Sequence, residues 1–418
     1  MTRPDAVLIV GAGLLQCHAI HTARALGLLP LVTDRNGAAP GVALAERWYA
    51  VDTYDAPGHA ALVPLIQQDY TLRGVVCPGS DVAPSVAAAA AAAGAPGIPE
   101  AVARRTHNKG DVRTALMAAD LQHVQPHWCL TPAQVRRSVL QSLPAAITFL
   151  CADLATHPLV VKPLQQRASR GVRIVRTWDA LAAALEHAAQ YGDEVLIEEG
   201  LTGTEHSAEM LLDGPGKPIW FNLVDRVFSY AGGVPLEVGH VNPSCLAPAQ
   251  WDAIRAMLLA CAAACGVTWG PFKADVMWTA DGPKVLEVTA RLSGGFDSQG
   301  TSPWTGRDPT RALLQLACGL PVEASLGAAQ GFAACAAILP ERTGRLLRVP
   351  SWWPQALMSY PQEVIWTVAP GAVLGPLAHN AQRPGFVLAA APTYAAAWRR
   401  ARDAAEALAA AVEVEAVT

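Results

Sequence analysis

Lysine is nearly missing from this chain: of 418 residues five are lysine, Lys109, Lys162, Lys217, Lys273 and Lys284, against 26 arginines. Charge of any sign is also sparse, at 16% of residues against roughly 25% in an average soluble protein. No basic run exceeds Arg-Arg, and the net charge is −4. That balance excludes a protein held to nucleic acid by phosphate neutralisation. Long apolar runs are absent; the alanine-rich stretch Val86 to Ala93 is too short to cross a bilayer. Met1-Thr-Arg-Pro-Asp5 leads straight into a short strand, so neither a signal peptide nor a membrane anchor is expected. The nine cysteines include no Cys-x-x-Cys pair, which fits reduced thiols and a cytoplasmic location. Cys261 and Cys265, four apart on an expected helix, read as small buried side chains. No Gly-x-x-x-x-Gly-Lys-Ser/Thr occurs, since Gly216-Lys217 runs into Pro218, and there is no Gly-x-Ser-x-Gly elbow.

What is present is a 52% hydrophobic composition, ample for a multidomain globular chain. The first hundred residues alternate strand and helix: Ala6–Val10, a helix to about Leu26, Leu29–Thr33, Arg47–Val51, Gly74–Cys77, then the alanine run as a helix. This is a parallel α/β unit. Glu100 to Ala119 reads as mostly helical, and 143–156 as an irregular connection. An α+β, mostly antiparallel region follows, with strands at Leu159–Lys162, Val172–Val175, Val195–Glu198, His206–Leu212 and Ile219–Val224 and a helix over Trp178–Gln190. Helix Pro248–Cys265 precedes a hairpin, Lys273–Trp278 and Lys284–Val288, turning at Asp281-Gly282. A helix at Arg311–Cys318, strands at Phe332–Ile338, Glu363–Val368 and Gly385–Leu388, and a helix over Thr393–Ala411 complete the chain.

Several segments carry chemistry. Lys162 ends an apolar strand, and a flexible stretch reaching Ser169 and Gly171 separates it from the next. A strand-edge lysine is a point charge for phosphate, and a Ser/Gly loop can lie over a polyphosphate with its N–H groups. Glu198 and Glu199 end another strand, and Glu205 follows at a spacing suited to a ribose. Asp275 and Glu287 sit on the two strands of the hairpin, where their carboxylates can meet as a hard-oxygen site for Mg²⁺. Gly11-Ala-Gly13-Leu-Leu-Gln16 with Asp34 is a degraded dinucleotide fingerprint. His18 and His21 lie three apart on the first helix without an evident third ligand.

Taken in this order, the segments resemble the ATP-grasp superfamily of carboxylate–amine ligases, with the dipeptide-forming L-amino-acid ligases most similar. The resemblance rests on Asn108-Lys109-Gly-Asp-Val-Arg113, Leu159-Val-Val-Lys162-Pro163 with Ser169-x-Gly171, Glu198-Glu199-x-Leu201-x-Gly203-x-Glu205, Gly270-Pro-Phe-x-x-Asp275 and Val285-Leu-Glu287-Val-x-x-Arg291. It implies an α/β and α+β multidomain fold: a Rossmann-like pre-ATP-grasp domain at 1–100, a central subdomain at 101–194, a nucleotide and metal subdomain at 195–330, and a C-terminal extension at 331–418. It implies that Lys109, Lys162, Ser169, Gly171, Glu198, Glu199, Leu201 and Glu205 bind ATP, with the two glutamates at 198 and 199 lining adenine largely through backbone. Asp275, Glu287 and Thr289 would hold Mg²⁺, or Mn²⁺ in its place. Arg291 would stabilise an acyl phosphate. His240, expected on a loop in Glu237-Val-Gly-His240, would stand near the transferred phosphate, and Ser293, Gly294 and Gly295 near substrate. Small-molecule carboxylate and amine substrates are implied, with a homodimer expected and no nucleic-acid or membrane partner. Thr289 departs from the family's usual Asn, and the loop carries Gln165, Gln166 and Arg167 in place of glycines. Specificity is expected from Ser80-Asp81, Asp225–Tyr230, the segment around His240, and Phe296–Trp304; for Tyr230, Phe296 and Trp304 the expectation is core packing. The competing readings are an ATP-grasp carboxylase or ribonucleotide enzyme of purine biosynthesis, and an NAD(P)-binding oxidoreductase built on Gly11–Asp34.

Overall fold

The computed structural model describes residues 3–121, 123–124, 127–131, 154, 157–164, 166, 168–192, 194–230, 234–322, 328–350 and 362–416. The irregular connection expected over 143–156 lies outside them, apart from Leu154.

Four parallel strands open the chain: β1 (Asp5–Val10), β2 (Leu29–Thr33), β3 (Arg47–Tyr49) and β4 (Thr71–Val76), in the order β3-β2-β1-β4. Strand β1 is a continuous apolar run because both its faces are covered. Val7 and Ile9 pack with Ile20 and Ala23 of α1 (Leu14–Ala25). Ala6, Leu8 and Val10 pack with Leu62 and Ile66 of α2 (Ala56–Asp69) and Ala89 of α3 (Ala83–Ala93). Helix α2 carries no clear helical period in its sequence, because Pro57, Gly58 and Pro64 interrupt it. It forms because Asp55 caps it, accepting from the Gly58 N–H at 2.9 Å, and because proline is tolerated in a first turn.

The expected helical stretch after Glu100 is two helices, α4 (Glu100–His107) and α5 (Lys109–Ala118). Asn108 separates them with extended backbone and caps α5 through the Gly110 and Asp111 N–H groups. The second sheet is antiparallel: β5 (His127–Leu130), β6 (Leu159–Pro163), β7 (Arg173–Val175) and β8 (Val195–Glu199), in the order β5-β8-β6-β7. Helix α6 (Trp178–Ala189) sets Leu181 and Leu185 against Val161, Val195 and Ile197. Side chains alternate along a strand, so Val160 and Lys162 turn to the opposite face.

Eight strands form the third sheet: β9 (Thr204–Asp213), β10 (Pro218–Ser229), β11 (Leu236–Asn242), β12 (Trp269–Thr279), β13 (Gly282–Thr289), β14 (Phe332–Ile338), β16 (Gln362–Trp366) and β18 (Gly385–Ala391). Their order is β13-β12-β9-β10-β11-β14-β18-β16, one continuous sheet across position 330. A small sheet joins β15 (Gly344–Arg348), β17 (Val373–Leu374) and β19 (Glu413–Glu415). Helix α7 (Pro248–Cys265) buries Ile254, Leu258, Cys261 and Cys265 against Met210 and Phe272. Each such aliphatic side chain contributes about 1.5–3 kcal/mol by burial. Helix α8 (Pro309–Ala317) fits beneath α1, and α9 (Tyr394–Ala410) packs Ala397, Ala401 and Leu408 on Val387 and Ala389.

The register of the third sheet decides the site. Lys273 stands between Thr289 and Glu209, and Asp275 between Glu287 and Ser207, on strands β13, β12 and β9. One face of this sheet is therefore polar, and it lies opposite Lys162 and its loop. Among the described residues, no helix is long and apolar enough to cross a membrane.

Candidate active site

A cleft of about 710 Å³ lies between the second and third sheets. Of the residues singled out in the sequence, Lys109, Lys162, Ser169, Glu198, Glu199, Leu201, Glu205, Asp275 and Glu287 line it. Gly171, Thr289, Arg291, His240 and Ser293 to Gly295 are not among its walls.

Lys109 is the first residue of α5, and the Asn108 cap fixes its direction. Its ammonium donates to the Gln166 carbonyl at 2.7 Å and lies 3.2 Å from a Glu287 oxygen. Lys162 is ion-paired with Glu198. Glu198 also accepts from Arg113 Nη2 at 2.8 Å, and the same guanidinium donates to the Val285 and Leu286 carbonyls at 3.1 and 2.7 Å. Burial works to raise the Glu198 pKa, and the two cations outweigh it, holding the carboxyl below its ordinary range. The Glu198 side chain is thus committed to Lys162 and Arg113, while its backbone sits in β8 opposite Val160. Arg113 ties α5 to β8 and β13.

The loop beyond Lys162 turns back at Gly171, whose φ is +76° and where a Cβ would meet the Tyr191 ring at 2.9 Å and Pro163 at 3.0 Å. Only glycine fits there. Gln165 and Arg167 of the same loop lie outside the described residues. Gly203 plays a comparable part at the start of β9: a Cβ would lie 2.0 Å from the Trp278 carbonyl oxygen.

Asp275 and Glu287 are direct cross-strand partners. Asp275 accepts from Lys273 Nζ at 2.6 Å and lies 2.9 Å from Arg226 Nη1. Burial favours its neutral form, yet these cations hold its pKa below the ordinary range. Arg226 lies within the Asp225–Tyr230 segment expected to set specificity, where no role of its own is assigned to it. It is buried in β10 and bonds Glu205 at 2.7 Å and both oxygens of Glu237 at 3.1 and 3.0 Å. One arginine thus serves three carboxylates, Glu205, Glu237 and Asp275. The shortfall in positive charge falls on Glu205: burial, then Asp275 and Glu237, push it up to about 7 against the pull of Arg226. An arginine in the expected strand region between Leu223-Val224 and Val227-Phe228 is the available signal, since such a residue, once buried, needs acidic partners.

His240 is on strand β11, not on a loop. It is buried, with Nε2 2.9 Å from Asp297 Oδ1 and 3.1 Å from Thr301 Oγ1. The Thr289 hydroxyl is buried with no hydrogen-bond partner. Arg291 donates to the Leu292 carbonyl at 2.9 Å, leaves its buried Nε unpaired, and faces a small cavity shared with Ser80 and Cys77. The Ser293 hydroxyl turns inward to Ser207 at 2.8 Å. Phe296 packs on Phe386 in the core, as expected. Tyr230 departs from that expectation: it is half exposed on the rim of the cleft, stacked on Phe228, whose ring lies under Arg226.

The dinucleotide fingerprint is closed. Gln16 is buried; its Oε1 accepts from the Gly13 N–H at 3.1 Å and its Nε2 donates to the Pro78 carbonyl and Ser80 hydroxyl at 2.8 and 3.0 Å. Asp34 accepts from the Ala12 N–H at 3.1 Å. The amide that replaces the third glycine occupies the turn a pyrophosphate would need. His18 pairs with Asp308 at 2.9 Å and His21 is exposed, so the two do not share a ligand.

Comparisons with known proteins bear on the domains and the fold. Residues 155–299 match the ATP-grasp domain, and residues 336–413 match the L-amino acid ligase C-terminal domain 2. Carnosine synthase 1 of Gallus gallus is 30% identical over 188 residues, covering 41% of this chain and 20% of that one. The D-alanine–D-alanine ligase of Aromatoleum aromaticum is 30% identical over 173 residues, covering 41% of this chain and 55% of that one. The chain spans about half the length, or less, of the curated relatives it matches. The crystal structure of L-amino acid ligase from Bacillus licheniformis superposes with a TM-score of 0.78 at 21% identity, over the whole of both chains. This chain carries an ATP-grasp domain over residues 155–299 and an L-amino acid ligase C-terminal domain 2 over residues 336–413.

Proposed function

We propose that this chain is an ADP-forming ligase that joins the carboxylate of an amino acid to an amine through an acyl phosphate. The observation that carries the reading is the convergence of Lys109, Lys162, Asp275 and Glu287 on one cleft beneath the Ser169 loop. Phosphoryl transfer needs positioning and charge neutralisation more than covalent help. Lys109 and Lys162 are held ready by Glu287 and Glu198 and would turn to the ATP phosphates. Glu199 and Leu201 would border adenine, and Glu205 the ribose. Arg291, with an unpaired Nε, has free donor capacity for an acyl phosphate. His240 and Ser293 to Gly295 would lie towards the substrates.

The residues present fit a divalent cation. Asp275 and Glu287 offer opposed hard oxygens, and the unpaired Thr289 hydroxyl is two residues from Glu287. Mg²⁺ is held by one or two carboxylates together with nucleotide phosphates and water, so these side chains suffice, and Mn²⁺ would substitute. When bound, the ion would offset charge on the transferring phosphoryl group. The four-part division of the chain, a cytoplasmic location and a homodimer belong to the same reading.

The test is product stoichiometry. With ATP, Mg²⁺ and pooled amino acids, ADP and phosphate should appear one-to-one with a new amide, and no AMP should form. AMP with pyrophosphate would mean attack at the α-phosphate and would overturn the proposal.

A further inference from the structure

Two successive non-glycine residues of the loop after β6 have left-handed backbone, Ala168 with φ +56° and Ser169 with φ +60°. Such conformations persist only where the surroundings hold them. What holds them is Asn380, 211 positions further along the chain. The Asn380 N–H donates to the Ala168 carbonyl at 2.9 Å, and its Nδ2 donates to the Ser169 hydroxyl at 3.1 Å. Its Oδ1 accepts from the Glu237 N–H at 2.9 Å, and its carbonyl accepts from Arg383 Nε at 2.8 Å. Every polar group of this buried asparagine side chain is thus used, upward to the loop or downward to β11. Arg383 donates to the Glu237 carbonyl at 2.9 Å and rests on the Phe386 ring at 4.8 Å. The Glu237 carboxylate grips Arg226, and Arg226 reaches Asp275. The contacts run without a gap from the loop, through the C-terminal part of the chain, to the candidate metal carboxylate.

We propose that Asn380 is a positioning residue: a clasp by which the C-terminal part holds the 168–171 loop shut over the phosphate end of the cleft. This rests on the cleft being the nucleotide site proposed above. A loop poor in glycine cannot rely on its own backbone freedom to close, and an external clasp supplies the closed geometry. Closure excludes water from an acyl phosphate, so the clasp protects coupling of ATP use to amide formation. Glu237 ties the same event to Arg226, so the loop and the carboxylate cluster close together.

Hydrogen exchange on the full chain with MgADP reads the clasp independently of turnover. In Asn380→Ala, amides at 168–171 should exchange at least about fivefold faster, the order expected for losing one net hydrogen bond, while those of α9 stay unchanged. ADP released per amide should rise from one to about two or more. Asn380→Leu fills similar space with neither donor nor acceptor for the Ser169 hydroxyl, so its loop should exchange as fast as in Asn380→Ala. Ser169→Ala removes the contact from the loop side and is read alone if Asn380→Ala does not fold. Loop exchange within twofold of wild type in Ser169→Ala and Asn380→Leu would overturn the clasp. Fast loop exchange without any amide product would leave the clasp standing and sink the ligase reading instead.

Discussion

At the scale of single residues, charge balance and unpaired atoms make the sharpest predictions. Asp275 and Glu287 carry the negative charge of the proposed Mg²⁺ site, whereas the Thr289 hydroxyl is a weak uncharged ligand. Loss of either carboxylate should therefore be severe, Glu287→Gln worst and Asp275→Asn similar. Thr289→Val should raise the Mg²⁺ requirement by no more than about tenfold, about 1.4 kcal/mol. A Mg²⁺ titration of ADP release across the three variants checks the order; a folded Thr289→Val as damaged as Glu287→Gln would refute it. Glu209 makes a different point. Its two oxygens accept from the Ser298 hydroxyl at 2.9 Å. Burial, then repulsion by Asp297, outweigh the serine hydrogen bonds and push its pKa up to about 7. Below about pH 4.5 this carboxyl is protonated in the folded and unfolded chain alike. Between there and pH 7 the unfolded chain ionises first, so the folded state loses stability, with the full penalty above pH 7. Glu209→Gln should thus gain about 1–3 kcal/mol at pH 8 and almost nothing at pH 4.5. Denaturant midpoints at the two pH values measure it, and an equal gain at both would show that Glu209 is not the source.

Elements differ in how plainly they could be read. Strands β6, β12 and β13 and helix α7 were legible because apolar runs end in turn or cap signals. The Asp281-Gly282 turn even fixes the pairing that sets Asp275 opposite Glu287. Strand β11 was not legible, because its inward residues are polar: Glu237 and His240 face a buried polar layer, where a hydrophobic pattern marks nothing. Helix α5 lies within the stretch Glu100 to Ala119 that reads only as mostly helical, yet its separate capped start is what aims Lys109. The same helix carries Arg113 into the joint between two sheets. Arg113→Met would leave the Val285 and Leu286 carbonyls without their donor and Glu198 paired with Lys162 alone. Removing one partner from a buried pair costs about 3–5 kcal/mol. Denaturant unfolding should show a loss of that size, with Glu198→Gln in the same chain recovering part of it. A loss below about 1 kcal/mol would mean Arg113 does not hold the sheets together.

The whole molecule explains why the remainder of the site was hidden. Lys162, Arg226, Asp275 and Asn380 come from four regions that only sheet pairing and loop docking bring together. No local spacing encodes that Arg226 meets Asp275, or that Ser169 meets Asn380. A ligand in the cleft would touch Lys162 from the second sheet, Asp275 and Glu287 from the third, and Asn380 from the C-terminal part at once. Such a ligand stabilises the folded chain by mass action, about 2.7 kcal/mol at 100 times its dissociation constant. ATP or ADP with Mg²⁺ should therefore raise the thermal midpoint, and Lys162→Met should reduce the rise by weakening phosphate contacts. NAD and NADP at the same concentrations should give no shift, because the Gln16 amide already uses the Gly13 N–H that a pyrophosphate would seek. A larger shift with NAD(P) than with MgATP would move the nucleotide to the first sheet and overturn the assignment of the cleft. Thermal scans with the four nucleotides decide between the two sheets without any assumption about the substrates joined.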